Sequence, residues 1–111
     1  MTHLNFKTRP EGKIQKAIID MLRIKGWYVM STHGNMFQSG FPDLFATHSR
    51  YGSRWIEVKN PSSYKFTPAQ LEHFPKIVAN GTQIWILVEA SEREYEKLFK
   101  TGNWYQYLRK G

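Results

Sequence analysis

The chain has 111 residues, a length that suits one domain and would crowd two. It carries 16 Lys and Arg against 9 Asp and Glu, a formal charge of +7 that points to a polyanionic partner, nucleic acid ahead of an anionic membrane surface. Cysteine is absent, which excludes a disulfide scaffold, cysteine-ligated zinc and thiol catalysis, and fits a reducing compartment.

Residues 1–9 read as a loose basic arm ahead of a single domain spanning the chain. Met1–Pro10 contains no apolar signal core. From Pro10-Glu11-Gly12 onward, Ile14, Ala17, Ile18, Met21 and Leu22 recur at helical spacing, with Lys13, Gln15, Lys16, Asp20 and Arg23 largely on the other side. Gly26 ends that helix after a basic last turn. Trp27–Ser31 reads as a strand, and 33–42, with two Gly, one Asn and one Pro, as a loop. Asp43–His48 and Arg54–Lys59 read as strands joined by a hairpin through Arg50-Tyr51-Gly52. Thr67 as N-cap and Pro68 at the first helical position open a second helix running to about Val78, with Pro75 able to kink or shorten it. Thr82–Glu89 is a continuous apolar strand suited to a buried place in a sheet. Its longest apolar run, Ile84 to Val88, is far too short to span a bilayer, so a cytoplasmic protein with no membrane partner is expected. Ser91 caps a third helix through Lys100. Gly102–Tyr107 is expected as a final strand or a packed tail. Its aromatics, Trp104, Tyr105 and Tyr107, either cover the domain's own core or form a subunit interface, and the small size of the chain favours the interface. The order α-β-β-β-α-β-α predicts an α/β fold: a mixed central sheet flanked by helices.

The chemistry concentrates in Gly40-Phe41-Pro42-Asp43-Leu44 and Trp55-Ile56-Glu57-Val58-Lys59. Alternate strand residues share a face, so Glu57 and Lys59 project together while Ile56 and Val58 point the other way. Such a pair on its own is most often an ordinary surface ion pair. Asp43 changes that weighting, because the short hairpin permits a register placing it opposite Glu57 to within two positions. Two adjacent carboxylates repel unless a cation sits between them, and an oxygen-only donor set favours Mg²⁺, with Mn²⁺ able to substitute. Lys59 would then stand beside the metal, where an ammonium can orient water or stabilise an anionic transition state.

Pro42-Asp43 followed by Glu57-Val58-Lys59 resembles the PD-(D/E)XK nuclease signature, and the element order resembles its restriction-endonuclease-like core. The closer resemblance is to the stand-alone VRR-NUC family of small phage and bacterial nucleases. It covers about residues 11–90 and includes Glu11 and Gln15 on the first helix and Thr67-Pro68-Ala69-Gln70 opening the second. The resemblance implies metal-dependent hydrolysis of DNA phosphodiesters. Asp43 and Glu57 would be metal-binding carboxylates, the Val58 carbonyl a further ligand, and Lys59 the residue that positions or activates water. Glu11 would hold a second metal or a water, Gln15 would reach the site one turn later, and Gln70 would stand beside Lys59. Relatives often carry an arginine near the first strand; here the segment is Thr32-His33-Gly34-Asn35, leaving His33 as the nearby basic residue. Lys13, Lys16, His33, Asn35, Arg50 and Lys65 are the candidate nucleic-acid contacts, alongside Lys7 and Arg9 of the arm. By analogy with relatives lacking accessory domains, the expected substrate is branched DNA such as a Holliday junction, cut by a homodimer. The alternative is a non-catalytic DNA-binding module on the same fold.

Overall fold

The computed structural model describes residues 10–32 and 40–108. Helix α1 (Pro10–Ile24) leads into strands β1 (Tyr28–Ser31), β2 (Leu44–His48) and β3 (Gly52–Val58). Helix α2 (Pro68–Ala79), strand β4 (Ile84–Leu87), helix α3 (Glu92–Glu96) with a 3-10 turn (Lys97–Phe99), and helix α4 (Trp104–Leu108) follow. The strands lie in the order β1-β2-β3-β4, antiparallel at the first two junctions and parallel between β3 and β4. The result is the expected α/β architecture, a mixed sheet with flanking helices.

Each face of the sheet has its own core. Alternation along the strands sends Val29, Leu44, Ala46, Ile56 and Val58 to one side, where Ile18 and Leu22 of α1 cover them. Ile14 and Met21 pack at the rim of that core, whereas Ala17 lies on the exposed side of α1. On the opposite side, Phe74 of α2 and Trp104 of α4 close over Ile84 and Ile86, with Trp55 and Phe66 beside them. β4 is buried along its whole length, consistent with its unbroken apolar sequence.

Helix α2 begins as its first residues dictate. The Thr67 hydroxyl accepts from Gln70 N–H, the Gln70 side chain accepts from Thr67 N–H, and Pro68 occupies the first turn. The helix runs through Pro75 to Ala79, so the proline does not shorten it.

One expectation needs correction at the C-terminus. The third helix stops at Glu96 and tightens into the 3-10 turn rather than continuing to Lys100. Of the two alternatives for Gly102–Tyr107, the packed tail holds and the strand does not: Trp104–Leu108 is a short helix. The free edge of β4 is instead capped by one side chain, since Asn103 Oδ1 accepts from Ile86 N–H at 2.7 Å and its amide reaches Ile86 O at 3.5 Å. Gly102 permits that approach, because a Cβ there would come within 2.8 Å of the Ile84 carbonyl. Part of the aromatic tail serves its own core. Trp104 is buried edge-on against Phe74 and Phe66, and Tyr107 is half-buried. Tyr105 and Leu108 of the same helix are exposed, as are Tyr28 and Met30 of β1 and Phe41. No helix among the described residues is long and apolar enough to cross a membrane.

Candidate active site

The hairpin register decides the geometry. Leu44 pairs with Ile56 and Phe45 with Trp55, so one further step sets Asp43 across from Glu57. Asp43 N–H donates to Glu57 Oε1 at 3.1 Å, and Val58 N–H donates to Asp43 Oδ2 at 3.0 Å. The two carboxylates thus brace the mouth of the hairpin reciprocally. This is also the carboxyl end of the parallel pair β3/β4, where Lys59 N–H closes on Leu87 O at 3.1 Å.

Helix α2 aims its first turn at the same point. Gln70 Nε2 donates to Glu57 Oε2 at 2.7 Å, while Gln70 Oε1 accepts from Lys59 Nζ at 3.1 Å. Lys59 Nζ stands 3.1 Å from Glu57 Oε2 and donates to the Lys65 carbonyl at 2.6 Å. Glu57, Lys59 and Gln70 are all buried, which is rare for charged side chains unless they are paired as these are. Burial pushes the Glu57 carboxyl up from 4.5 to about 8. The charge of Asp43 adds to the rise, and the Lys59 ammonium and the Gln70 amide oppose it.

A solved structure described as a VRR_NUC domain matches this chain with a TM-score of 0.61 and 26% sequence identity, over 81% of this chain and 94% of its own. The chain has a VRR-NUC-like nuclease fold. No family model and no curated protein sequence matches it.

On this VRR-NUC-like scaffold the remaining candidates distribute unevenly. Gln15 is buried on α1, and its Nε2 has no hydrogen-bond partner among the described residues. Glu11 is exposed in the first turn of the same helix and enters no ion pair among the described residues. Among the described residues, no hydrogen bond joins either of them to Glu57, Lys59 or Gln70. Lys13 and Lys16 lie on the exposed side of α1, and Lys16 pairs with Asp20 at 2.9 Å. Arg50 is exposed in the hairpin turn with its guanidinium 6.0 Å from the centre of the Tyr51 ring. Lys65 presents its side chain to solvent, but the atom that enters the cluster is its backbone oxygen. Lys7, Arg9, His33 and Asn35 lie outside the described residues.

Two contributors escaped sequence reading. The Phe66 ring lies beneath Lys59, with Nζ 4.6 Å from its centre, and the Lys65 carbonyl is the shortest acceptor of that ammonium. A backbone carbonyl has no residue signature, and the aromatic partner depends on how residues 60–66 fold back.

The donor set fits a hard divalent cation. Among the described residues, no group of three or more His, Asp or Glu side chains is arranged to hold a metal. Magnesium needs no such group, since it is commonly held by one or two carboxylates and completed by water and substrate phosphate. The raised pKa of Glu57, driven in part by Asp43, marks a place where added positive charge would be stabilising.

Proposed function

We propose that the chain is a divalent-metal-dependent deoxyribonuclease that hydrolyses phosphodiester bonds, with Asp43, Glu57, Lys59 and Gln70 at its centre. The observation that carries this reading is their convergence into one buried hydrogen-bonded cluster, at the end of the sheet, on a VRR-NUC-like fold.

Asp43, Glu57 and the Val58 carbonyl would hold Mg²⁺, with Mn²⁺ substituting. When bound, such an ion supplies Lewis acidity, acidifying water and neutralising charge on the scissile phosphate. Lys59 orients the attacking water and offers positive charge to the transition state. Gln70 fixes both partners of the buried pair, accepting from Lys59 with one atom and donating to Glu57 with the other. Gln15 brings a buried amide whose Nε2 has no hydrogen-bond partner among the described residues, suited to a water or phosphate oxygen, and Glu11 of the same helix would hold a second ion or a water. Lys13, Lys16, Arg50 and Lys65, with His33 and Asn35, contact the DNA backbone.

The substrate is branched DNA such as a Holliday junction, and the active form is a homodimer whose two-fold axis matches that of the junction. Exposed apolar side chains that a subunit contact would cover include Tyr28, Met30 and Phe41, and Tyr105 and Leu108 of α4. Purified protein should cut a four-way junction faster than linear duplex or a flap with Mg²⁺ or Mn²⁺, and cut nothing in EDTA. Light scattering at micromolar concentration should give a dimer. Equal cutting of linear duplex removes the structure selectivity, and an active monomer removes the assembly. DNA binding without cleavage under any metal leaves the non-catalytic alternative.

A further inference from the structure

An ammonium has three N–H donors, and those of Lys59 face Glu57 Oε2, Gln70 Oε1 and Lys65 O. Glu57 and Gln70 sit on β3 and α2, whose backbones are locked in regular structure. The third acceptor belongs to the connection between them, in which Pro61, Ser62, Ser63 and Lys65 are all exposed. A carbonyl on an exposed connection holds its place only if something pins it.

Residues on either side of Lys65 are pinned, and one element touches both, although Phe66 also rests edge-to-face on Phe74 of α2 at 6.1 Å. Tyr64 Oη donates to the Tyr107 carbonyl at 2.9 Å and meets the Tyr107 ring edge-to-face at 5.7 Å. Phe66 packs edge-to-face on Trp104 at 6.4 Å while offering Lys59 its face. Trp104 and Tyr107 are the inward residues of α4. That helix is itself anchored, through Asn103 on Ile86 and through Lys97, which donates to Tyr107 Oη at 2.9 Å. Lys97 in turn pairs with Glu94, a buried carboxylate that also accepts from Val88 N–H just past β4. Among the described residues, no hydrogen bond or ion pair joins α4 to Glu57 or Gln70.

We propose that α4 is a positioning element for the Lys59 ammonium, acting through Tyr64 and Phe66 on the Lys65 carbonyl between them. Tyr64 is its principal positioning residue. The inference rests on the reading of Lys59 as the residue that orients water.

Tyr64→Phe tests it, since it deletes one hydroxyl and keeps the ring. Misplacement of a catalytic group by a fraction of an ångström to 1 Å costs about tenfold to a hundredfold in rate. The expected result is a fall in kcat of about tenfold, with KM and DNA affinity near wild type. Phe66→Leu should act in the same direction, and it serves as the second variant if Tyr64→Phe melts early. A merely structural role is separated by the double variant with Lys59→Met. If Tyr64 acts through Lys59, its substitution has no further effect on the residual rate of Lys59→Met, whereas a general loosening lowers both backgrounds alike. Unchanged kcat in both Tyr64→Phe and Phe66→Leu, or equal losses in the two backgrounds, overturns the positioning role. The failure of the underlying reading looks different: Lys59→Met itself would then cut DNA at the wild-type rate.

Discussion

Glu57 makes the stability of the metal-free protein depend on pH in a definite direction. Its carboxyl titrates at about 8 in the folded chain against 4.5 as an ordinary group. Between those values the folded state holds a proton that the unfolded state has released. Stability is therefore highest below about pH 4.5, as far as this group is concerned, and falls as pH rises toward 8. At 1.36 kcal/mol per pKa unit the full loss is on the order of 5 kcal/mol, of which about 3 kcal/mol is already gone at pH 7. That is a large share of the ~5–15 kcal/mol that keeps a small domain folded. Urea unfolding in EDTA, followed by the fluorescence of the buried Trp27, Trp85 and Trp104, should show the midpoint dropping steadily from pH 5 to pH 8. Added Mg²⁺ should recover more stability at pH 8 than at pH 5, because only the ionised carboxylate is a ligand. A flat profile across pH 5 to 8 would refute the argument that burial and the neighbouring Asp43 load this carboxyl.

Gly40→Ala should lower cleavage sharply, since a Cβ there would overlap the His73 ring on α2 and push the Pro42–Asp43 segment off its place; His73→Ala should restore activity in the double variant. Thr67→Ala should cost about 1 kcal/mol through the lost cap, read by thermal melting. It should also reduce kcat, because Gln70 N–H loses its acceptor. DNA affinity should weaken steeply with salt, with log K falling against log salt at a slope near −4.5 if about five phosphates are neutralised. A salt-independent Kd in a filter-binding titration would mean that the basic surface is no DNA footprint.

What could be read before folding follows from how local each cause is. The start of α2 lies in four consecutive residues, Thr67 to Gln70, whose side chains close the capping box themselves. β4 declares itself by an apolar run that only a doubly covered strand tolerates. The pairing of Asp43 with Glu57 was legible because a short hairpin leaves few registers to choose from. The C-terminal aromatics were not, since alternating large residues suit a strand edge as well as a helix face. The choice fell to Asn103, whose amide took the bonds on Ile86 that a further strand would have used. Ala17 has the right spacing for the buried side of α1 and still faces outward. Gln15, placed on the polar side by the same count, is buried. The surroundings of Lys59 were the least accessible. Its carbonyl partner, the ring beneath it and the helix behind both come from residues 64–107, and only tertiary packing brings them together.

The Gln70 side chain is at once the closing member of a helix cap and the bridge between the two charges of the cluster. In most capping boxes glutamate serves as well as glutamine, so the position can wander between them. That freedom is absent here. A glutamate would keep the bond to Thr67 N–H but set a further carboxylate against Glu57, where an amide N–H now donates. An alanine would uncap α2 and strip an acceptor from Lys59 in one step. Redesign of the first turn of α2 for stability alone would reach directly into the site.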